Sequence, residues 1–221
     1  MKRGRILLVS STVQFGLFAL LAWWVSKHPY TLKEIVITRF VQRKQTTLKR
    51  RFMQAFTTAT GSVVTLNLFV VLVAALMWRM KYRLEAVMIP ANLWINSLVR
   101  IGIKRLIDRP RPKPFLVHVK RQSGGKSFPS GHVAASVNFW GWLFTVAIVR
   151  KEMNRGIRTA LLSISTLIIT LIGPSRIYLG DHWATDVLGG YLFGGGWFGC
   201  SLNLYLELRE SGVFANREIS S

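Results

Sequence analysis

Long uncharged apolar runs dominate the pattern of hydrophobic and polar positions along this chain. Residues 6–25 contain no charged side chain, and similar runs cover residues 62–78, 133–149 and 187–206. An α-helix needs about 20 apolar residues to cross a hydrocarbon core of about 30 Å. The pattern therefore predicts an integral membrane protein rather than a soluble domain.

Six membrane-spanning helices fit this pattern. We predict them at about residues 6–25, 62–78, 84–103, 132–149, 158–175 and 185–206. The third carries the polar side chains Glu85, Asn92, Asn96 and Arg100. Polar groups within a span usually face a bundle interior, so this helix is predicted to pack centrally. In the sixth span, Gly190 and Gly194 have the G-x3-G spacing that lets helices approach closely.

The predicted fold is an all-α bundle of six transmembrane helices in a single domain over residues 1–221, with a short flexible tail from about residue 207. Between the first two spans, apolar residues recur among cations at Ile35, Val36, Phe40, Val41, Leu48, Phe52 and Phe56. An amphipathic helix that lies in the headgroup region fits this spacing. A cationic hairpin in solvent is the alternative.

Composition narrows the choice of partners. The 221 residues carry a formal net charge of +21 and have a mean hydropathy of +0.31. Nucleic-acid binding is one reading of such a charge, but bases beside membrane spans attract anionic headgroups instead, so we expect no nucleic-acid partner. The single cysteine, Cys200, allows no intrachain disulfide. No small-x-small cleavage site precedes Lys27, which predicts an uncleaved first helix.

Three short polar clusters interrupt the apolar pattern. They are Lys104 with Arg111-Pro112 at K-x6-R-P spacing, Pro129-Ser130-Gly131-His132, and Ser175-Arg176 followed by His182 and Asp186 at S-R-x5-H-x3-D spacing. With six spans, the loop after the third and the loop after the fifth lie on the same membrane face. The three clusters are therefore predicted to meet, although they are far apart in the chain.

Charge bears on the orientation of that face. The face that holds the three clusters carries the majority of the lysines and arginines, and a simple positive-inside count would place this face in the cytoplasm. Several of these cations belong to the clusters or to the amphipathic segment, however. The short loops of the opposite face are basic throughout, with Arg79, Lys81, Arg83, Arg150, Lys151, Arg155 and Arg158. We therefore predict that the clusters lie on the outer face of the cell membrane.

The clusters contain the groups that hydrolysis of a phosphate ester requires. His182 is the candidate nucleophile, and Asp186, four residues later, can hold the proton on the other ring nitrogen. His132 begins span four and is the candidate general acid, at a helix N-terminus that also offers N–H groups to a phosphate. Plainer roles stay open, an interfacial histidine for His182 and a helix cap for Asp186.

The cations of the clusters suit the charge of a phosphate group. Lys104, Arg111 and Arg176 can bind its non-bridging oxygens, because an arginine fork holds two oxygens at once. The Ser130 hydroxyl and the Gly131 N–H can complete the cradle. Alternatively, Lys104 and Arg111 extend to lipid headgroups and the Pro-Ser-Gly sequence is an ordinary turn. The fixed spacing of all these residue types on one face favours the chemical interpretation.

The three clusters resemble the signature of the type 2 phosphatidic acid phosphatase (PAP2) superfamily, with every part present in order and without substitution. The resemblance implies a helical bundle and a phosphatase that acts on lipid phosphates or pyrophosphates with no metal and no cofactor. It implies that His182 becomes a phosphohistidine, assisted by Asp186, while His132 protonates the leaving group and then activates water. The implied phosphate-binding residues are Lys104, Arg111, Ser130, Gly131 and Arg176.

The signature leaves several alternatives open. Transfer of the phosphoryl group to another lipid would use the same residues as hydrolysis. The intact His132, His182 and Asp186 disfavour a non-enzymatic lipid-binding protein, and the spans disfavour a soluble vanadium haloperoxidase. Phosphatidylglycerol phosphate, phosphatidic acid, polyprenyl pyrophosphate and lipid A phosphates all remain possible substrates. The oligomeric state is also open.

Two charged residues beside the signature need separate interpretation. Asp181 directly precedes His182, and a carboxylate near that ring would raise the pKa of the imidazole and favour a more acidic pH optimum. Arg109 is outside the signature, and we expect it to be solvated. Binding of a second phosphate is the alternative role for Arg109.

Overall fold

The computed structural model describes residues 2–119 and 124–212, and within them it contains eight α-helices and no β-strand. The helices are α1 (Lys2–Lys27), α2 (Leu32–Gln42), α3 (Thr47–Gly61), α4 (Val63–Arg79), α5 (Arg83–Ile107), α6 (Gly131–Val149), α7 (Arg155–Tyr178) and α8 (Ala184–Glu210). The all-α class is confirmed. Each of the six predicted spans coincides with one helix, namely α1, α4, α5, α6, α7 and α8.

Several of these helices can cross a membrane, as expected for a multi-pass membrane protein. Within the described residues, α1, α5, α6 and α7 are long and apolar enough to do so. The α3–α4 pair makes a fifth candidate if it is taken as one span, bent by 43° between Gly61 and Val63. Helix α8 covers the sixth predicted span, but its glycines add almost nothing to hydropathy, so composition alone does not mark it as a span.

Helix α6 lies at the centre of the bundle, with 72% of its most apolar stretch buried, against 17% for α1. Helix α8 packs between α6 and α1. A Cβ atom at Gly190 would lie 2.9 Å from the Ser130 carbonyl oxygen, and one at Gly194 would lie 3.0 Å from the Cα of Ala134. The close packing predicted from the G-x3-G spacing is therefore confirmed.

Helix α5 turns its polar side chains into the bundle, as expected for polar groups in a span, but α6 and not α5 is the central helix, since 28% of the most apolar stretch of α5 is buried against 72% of that of α6. Asn92 and Asn96 are buried, and Nδ2 of Asn92 donates to Oδ1 of Asn138 on α6 at 2.8 Å. At the other end of α5, Oε1 of buried Glu85 accepts hydrogen bonds from Nη2 of Arg150 and from the Tyr205 hydroxyl, both at 2.6 Å. These contacts tie α5, α6 and α8 together at the face opposite the clusters.

The segment between α1 and α4 differs from the single amphipathic helix that was predicted. It forms two helices, and α2 turns its polar face inward, where Glu34, Thr38 and Gln42 are buried, while Val36 and Phe40 are exposed. Hydrogen bonding by Glu34 and Gln42 accounts for this orientation, because these two side chains satisfy groups of neighbouring segments that would otherwise lack partners. Gln42, for example, donates to the His118 carbonyl at 2.8 Å and accepts from the His118 N–H at 3.0 Å.

The C-terminal tail begins later than predicted. Helix α8 continues to Glu210, and the Ser211 N–H donates to the Glu207 carbonyl at 2.9 Å, so residues 207–210 are helical rather than flexible. The remainder of the predicted tail, residues 213–221, lies outside the described residues.

Candidate active site

The three polar clusters meet in one cavity of about 190 Å³, at the end of the bundle where α5 ends and α6 begins. Its lining includes five of the eight predicted site residues, Lys104, Arg111, Gly131, His132 and His182. The other three, Ser130, Arg176 and Asp186, are buried next to it. The convergence predicted from the span count is thus present in the folded chain.

His182 and Asp186 form the centre of the site. His182 lies in the short connection between α7 and α8, and Asp186 lies in the first turn of α8. Nδ1 of His182 is 3.4 Å from Oδ2 of Asp186, while Nε2 is 3.3 Å from Nη1 of Arg111 and faces the cavity. Asp186 also accepts a hydrogen bond from the Trp183 N–H at 2.8 Å, so it caps α8 as well as facing the imidazole.

Burial controls the protonation of the central histidine. His182 is almost completely shielded from solvent, and this burial lowers its pKa to about 3, although the contact with Asp186 opposes the shift. The imidazole is therefore neutral near pH 7. Burial also lowers the pKa of Arg111, which faces the same cavity. A neutral imidazole keeps a free electron pair on Nε2, the condition for attack on phosphorus.

His132 stands across the cavity in the first turn of α6. Ser130 precedes that turn, and its backbone N–H donates to the Asp186 carbonyl at 2.9 Å, which joins the start of α6 to the start of α8. The Ser130 hydroxyl is buried and has no hydrogen-bond partner within the described residues. The N-terminus of α6 thus presents an unpaired hydroxyl and helix-terminal N–H groups near the two histidines.

The three predicted phosphate-binding cations are held by oxygen atoms of the protein. Nζ of Lys104 donates to the Lys126 carbonyl at 2.6 Å, and Nη1 of Arg111 donates to the Asp181 carbonyl at 2.8 Å. Nη1 of Arg176 donates to the Thr57 hydroxyl at 3.0 Å. Neutral oxygens of the protein thus orient Lys104, Arg111 and Nη1 of Arg176.

Asp181 does not act on His182 in the way we expected. Its carboxylate forms an ion pair with Nη2 of Arg176 at 2.9 Å. The pKa of His182 is lowered, the opposite of the expected direction, because desolvation of the buried ring outweighs the contact with Asp186. Asp181 is therefore better described as a residue that orients Arg176.

Arg109 is neither solvated nor available to a second phosphate, which corrects both interpretations. Its side chain is completely buried, with Nη1 2.7 Å from Oδ1 of Asp186 and Nη2 2.8 Å from both carboxylate oxygens of Glu34. Nε donates to the Pro29 carbonyl at 2.8 Å, and Nη1 also donates to the Thr185 hydroxyl at 2.6 Å. A guanidinium that is removed from water needs such partners, because an unpaired buried charge is costly.

Sequence reasoning missed four residues that contact the site. Glu34 anchors Arg109, the Ser127 hydroxyl donates to Oδ2 of Asp186, the Thr185 hydroxyl donates to Glu34, and Arg100 lines the cavity. Two of them carried a signal. Glu34 begins a row of polar residues at every fourth position of α2, and Arg100 precedes Lys104 by one helical turn.

The described parts of the chain contain no group of three histidine, cysteine or carboxylate side chains that could hold a metal ion.

Known proteins resemble this chain in sequence and in fold. The model of the PAP2 superfamily matches residues 81–210, which include all eight predicted site residues. The chain is also similar to phosphatidylglycerophosphatase B of Bacillus subtilis (strain 168), with 32% identity over 100 residues. That match covers 45% of this chain and 47% of the relative, so it spans about half the length of the curated protein.

Two crystal structures share the fold. The transmembrane PAP2-type phosphatidylglycerolphosphate phosphatase from Bacillus subtilis superposes with a TM-score of 0.77 at 22% identity, over 91% of this chain and 96% of the other. LpxE from Aquifex aeolicus superposes with a TM-score of 0.56 at 22% identity, over 77% and 93%. At this level of identity the likenesses show a common fold.

Proposed function

The chain belongs to the PAP2 superfamily, and from that premise we propose that it is an integral membrane lipid phosphatase. It hydrolyses a phosphomonoester or pyrophosphate of a lipid through a phosphohistidine at His182, without a metal ion. The observation that carries this proposal is the placement of the His182 ring. Nδ1 faces Asp186, while Nε2 faces a cavity that cations and a second histidine line.

In the first step, Nε2 of His182 attacks phosphorus and the bond to the lipid oxygen breaks. His132 gives a proton to that oxygen, so the lipid alcohol leaves neutral and the phosphoryl group stays on the imidazole. Asp186 keeps the Nδ1 proton in place and stabilises the positive charge that develops on the ring. Lys104, Arg111 and Arg176 neutralise the non-bridging oxygens in the transition state.

In the second step, a water molecule gives a proton to His132 and attacks phosphorus. The N–P bond breaks, inorganic phosphate leaves, and His182 returns to its neutral form. His132 has regained the proton that it donated, so the site is ready for another lipid.

Two buried atoms without partners support a phosphate cradle at this place. Within the described residues, neither Oγ of Ser130 nor Nε of Arg176 has a hydrogen-bond partner. A buried polar group costs free energy when it stays unpaired, so such donors suit a site that an anion fills. With the N–H of Gly131 they would hold the transferring phosphoryl group.

The substrate that we favour is phosphatidylglycerol phosphate. The relative with 32% identity is named a phosphatidylglycerophosphatase, and the structure with the TM-score of 0.77 is described as a phosphatidylglycerolphosphate phosphatase. Phosphatidic acid, polyprenyl pyrophosphate and lipid A phosphates are the competing substrates in the test below.

We further propose that the chain forms one domain over residues 1–221 with six spans, α8 included, and that the site lies on the outer face of the cell membrane. The basic short loops of the opposite face support this orientation. Helices α2 and α3 then lie at the outer interface, where exposed apolar side chains such as Leu32, Phe40, Leu48 and Phe52 contact lipid.

Phosphate release from these four lipids, measured in detergent with EDTA present, tests the catalytic proposal. We expect the parent protein to be active and His182→Ala to lose activity. The control His28→Ala removes an exposed histidine outside the cavity and is expected to stay active. Activity that survives in His182→Ala, or that EDTA abolishes, would contradict the mechanism. Transfer of phosphate to another lipid, without release of free phosphate, would replace the hydrolase by a phosphotransferase.

Labelling of single cysteines in intact cells tests the orientation. In a Cys200→Ser background, a membrane-impermeant maleimide is expected to label Lys113→Cys, on the α5–α6 loop, and not Lys151→Cys, on the α6–α7 loop. The reverse pattern would place the site in the cytoplasm.

A further inference from the structure

We infer that Arg100 forms a second anion subsite, which binds the inner phosphodiester of a lipid whose terminal phosphomonoester is held at His182. This inference rests on the proposed phosphatase function and deepens it, because it assigns a substrate class: lipids with two phosphates separated by a short linker. Nothing in the PAP2 signature includes Arg100.

The position of Arg100 on α5 supports the inference. Asn92, Asn96, Arg100 and Lys104 recur at every fourth residue and form one polar stripe that leads from the bundle interior to the site. One helical turn separates Arg100 from Lys104, a rise of about 6 Å along the axis. This rise separates the backbones of the two cations. Two phosphates joined by a short linker can span such a distance, whereas the two phosphorus atoms of a pyrophosphate share a single bridging oxygen and lie closer together.

The guanidinium of Arg100 is poorly compensated. Within the described residues its one hydrogen bond is a long contact from Nη2 to the Ser97 hydroxyl, at 3.4 Å, and its Nε is buried without a partner. Arg109, only nine residues later, engages two carboxylates. A cation that is partly removed from water and lacks an anionic partner costs free energy, and an anionic ligand would offset that cost.

The cavity joins Arg100 to the reacting histidines. Arg100 and Ser97 line the same space of about 190 Å³ as His132 and His182. A Cβ atom at Gly131 would lie 2.5 Å from Nη1 of Arg100, so the guanidinium lies directly against the start of α6. The volume is several times the roughly 30 Å³ that one water molecule occupies in the liquid, which leaves room for more than one phosphate group.

The apolar part of the cavity gives the bound lipid a direction. Leu66 on α4 and Leu93 on α5 line it nearer the middle of the bundle than Lys104 does. A lipid with its terminal phosphate at His182 and its inner phosphate at Arg100 would place the start of its acyl chains against these side chains. The reacting histidine, Arg100 and the apolar side chains thus follow one another in the same order as the terminal phosphate, the inner phosphate and the acyl chains of such a lipid.

The test compares Arg100→Gln with the parent on two lipids with identical acyl chains, phosphatidylglycerol phosphate and phosphatidic acid. We expect kcat/KM for phosphatidylglycerol phosphate to fall by about 10-fold or more, mainly through KM, because a hydrogen bond to a charged group is lost. For phosphatidic acid, which has no second phosphate, we expect a change below about threefold. Arg100→Lys keeps the charge without the arginine fork, so its kcat/KM for phosphatidylglycerol phosphate should lie between those of the parent and of Arg100→Gln.

Controls separate this subsite from other causes. Arg83→Gln removes an exposed cation from the far end of the same helix and is expected to change neither rate. Equal losses on both lipids would show that Arg100 serves the hydrolysed phosphate, and no loss on either would show that it binds no ligand. Both outcomes overturn the inference. A polyprenyl diphosphate that loses as much rate as phosphatidylglycerol phosphate would overturn the assignment to a linked phosphodiester.

A binding measurement keeps this test separate from the catalytic proposal. If the parent releases no phosphate from any lipid, the proposed function fails. Thermal stabilisation by the two lipids is therefore also compared in His182→Ala and in His182→Ala/Arg100→Gln, which need no turnover. We expect phosphatidylglycerol phosphate to stabilise the first variant more than phosphatidic acid does, and the difference to vanish in the second. A difference that persists without Arg100 would overturn the subsite.

Discussion

Replacement of Arg109 should show how strongly Asp186, the carboxylate that we propose to be catalytic, depends on a residue outside the signature. The Arg109 guanidinium holds Asp186 through Nη1 and Glu34 through Nη2 while it donates to two further oxygens. Arg109→Gln leaves both carboxylates buried without a counter-charge. Removal of one partner from a buried ion pair costs about 3–5 kcal/mol. At about 2–4 °C per kcal/mol for a chain of this length, the melting temperature should fall by roughly 10 °C.

Activity should fall for a different reason. Oδ1 of Asp186 loses its anchor, and the carboxylate can then turn away from the His182 ring, from which it is separated by 3.4 Å. A displacement of about 1 Å in a catalytic group can reduce a rate by about 100-fold. We expect kcat of Arg109→Gln to fall by about 10- to 100-fold at a temperature where the variant is folded. Arg109→Lys should keep part of the stability and part of the kcat of the parent, because an ammonium group replaces the guanidinium fork.

The assays are thermal unfolding in detergent and phosphate release by the folded fraction. Arg105→Gln, which removes an exposed cation four residues earlier, is the control and should resemble the parent. In Arg109→Gln/Glu34→Gln one uncompensated carboxylate has been removed, so the double variant should lose less stability than the sum of the single variants. Additive losses, or an Arg109→Gln variant with the stability and kcat of the parent, would refute the reasoning.

Three further predictions concern other parts of the molecule. Because burial lowers the pKa of His182 to about 3, the unfolded chain gains a proton below about pH 6.5 that the folded protein does not. The stability of the folded protein should therefore fall as the pH is lowered from about 6.5 toward about 3. Over this range, the melting temperature of His182→Ala should fall less steeply than that of the parent. Glu85→Ala removes the buried acceptor of hydrogen bonds from Arg150 and Tyr205 and should cost about 3 kcal/mol of stability, measured by thermal unfolding, with kcat unchanged. The control Glu152→Ala, which removes an exposed carboxylate, should have little effect. Gly190→Ala places a Cβ 2.9 Å from the Ser130 carbonyl oxygen and should lower both stability and kcat/KM, whereas Gly16→Ala, with open space around it, should be neutral in the same assays.

The positions of the six helices that coincide with predicted spans, and the convergence of the three clusters, could be predicted from the sequence. Long apolar runs mark helices because a spanning segment must satisfy its backbone hydrogen bonds internally, and this requirement acts locally. The six predicted spans each coincide with a helix, although composition alone marks only four of these helices, or five if α3 and α4 form one span. His182 and Asp186 could be paired from their spacing because residues four apart share one helical face.

The environment of the charged residues could not be predicted in the same way. Asp181, Arg100 and Arg109 all lie near the signature, yet one orients Arg176, one lines the cavity and one is buried between two carboxylates. Their roles depend on partners from distant parts of the chain. Glu34, for example, reaches Arg109 only because α2 turns its polar face toward the α5–α6 loop.

The amino-acid sequence by itself determined the helical membrane fold, the family and the residues that meet at the cavity, because hydrophobicity and helical periodicity act over a few turns of one segment. Only the tertiary structure decided the inward polar face of α2, the neutral state of His182, the anchoring of Asp186 by Arg109 and the poorly compensated charge of Arg100. Each of these depends on how much water is excluded and which charges lie nearby. Both quantities exist only once several helices have packed together.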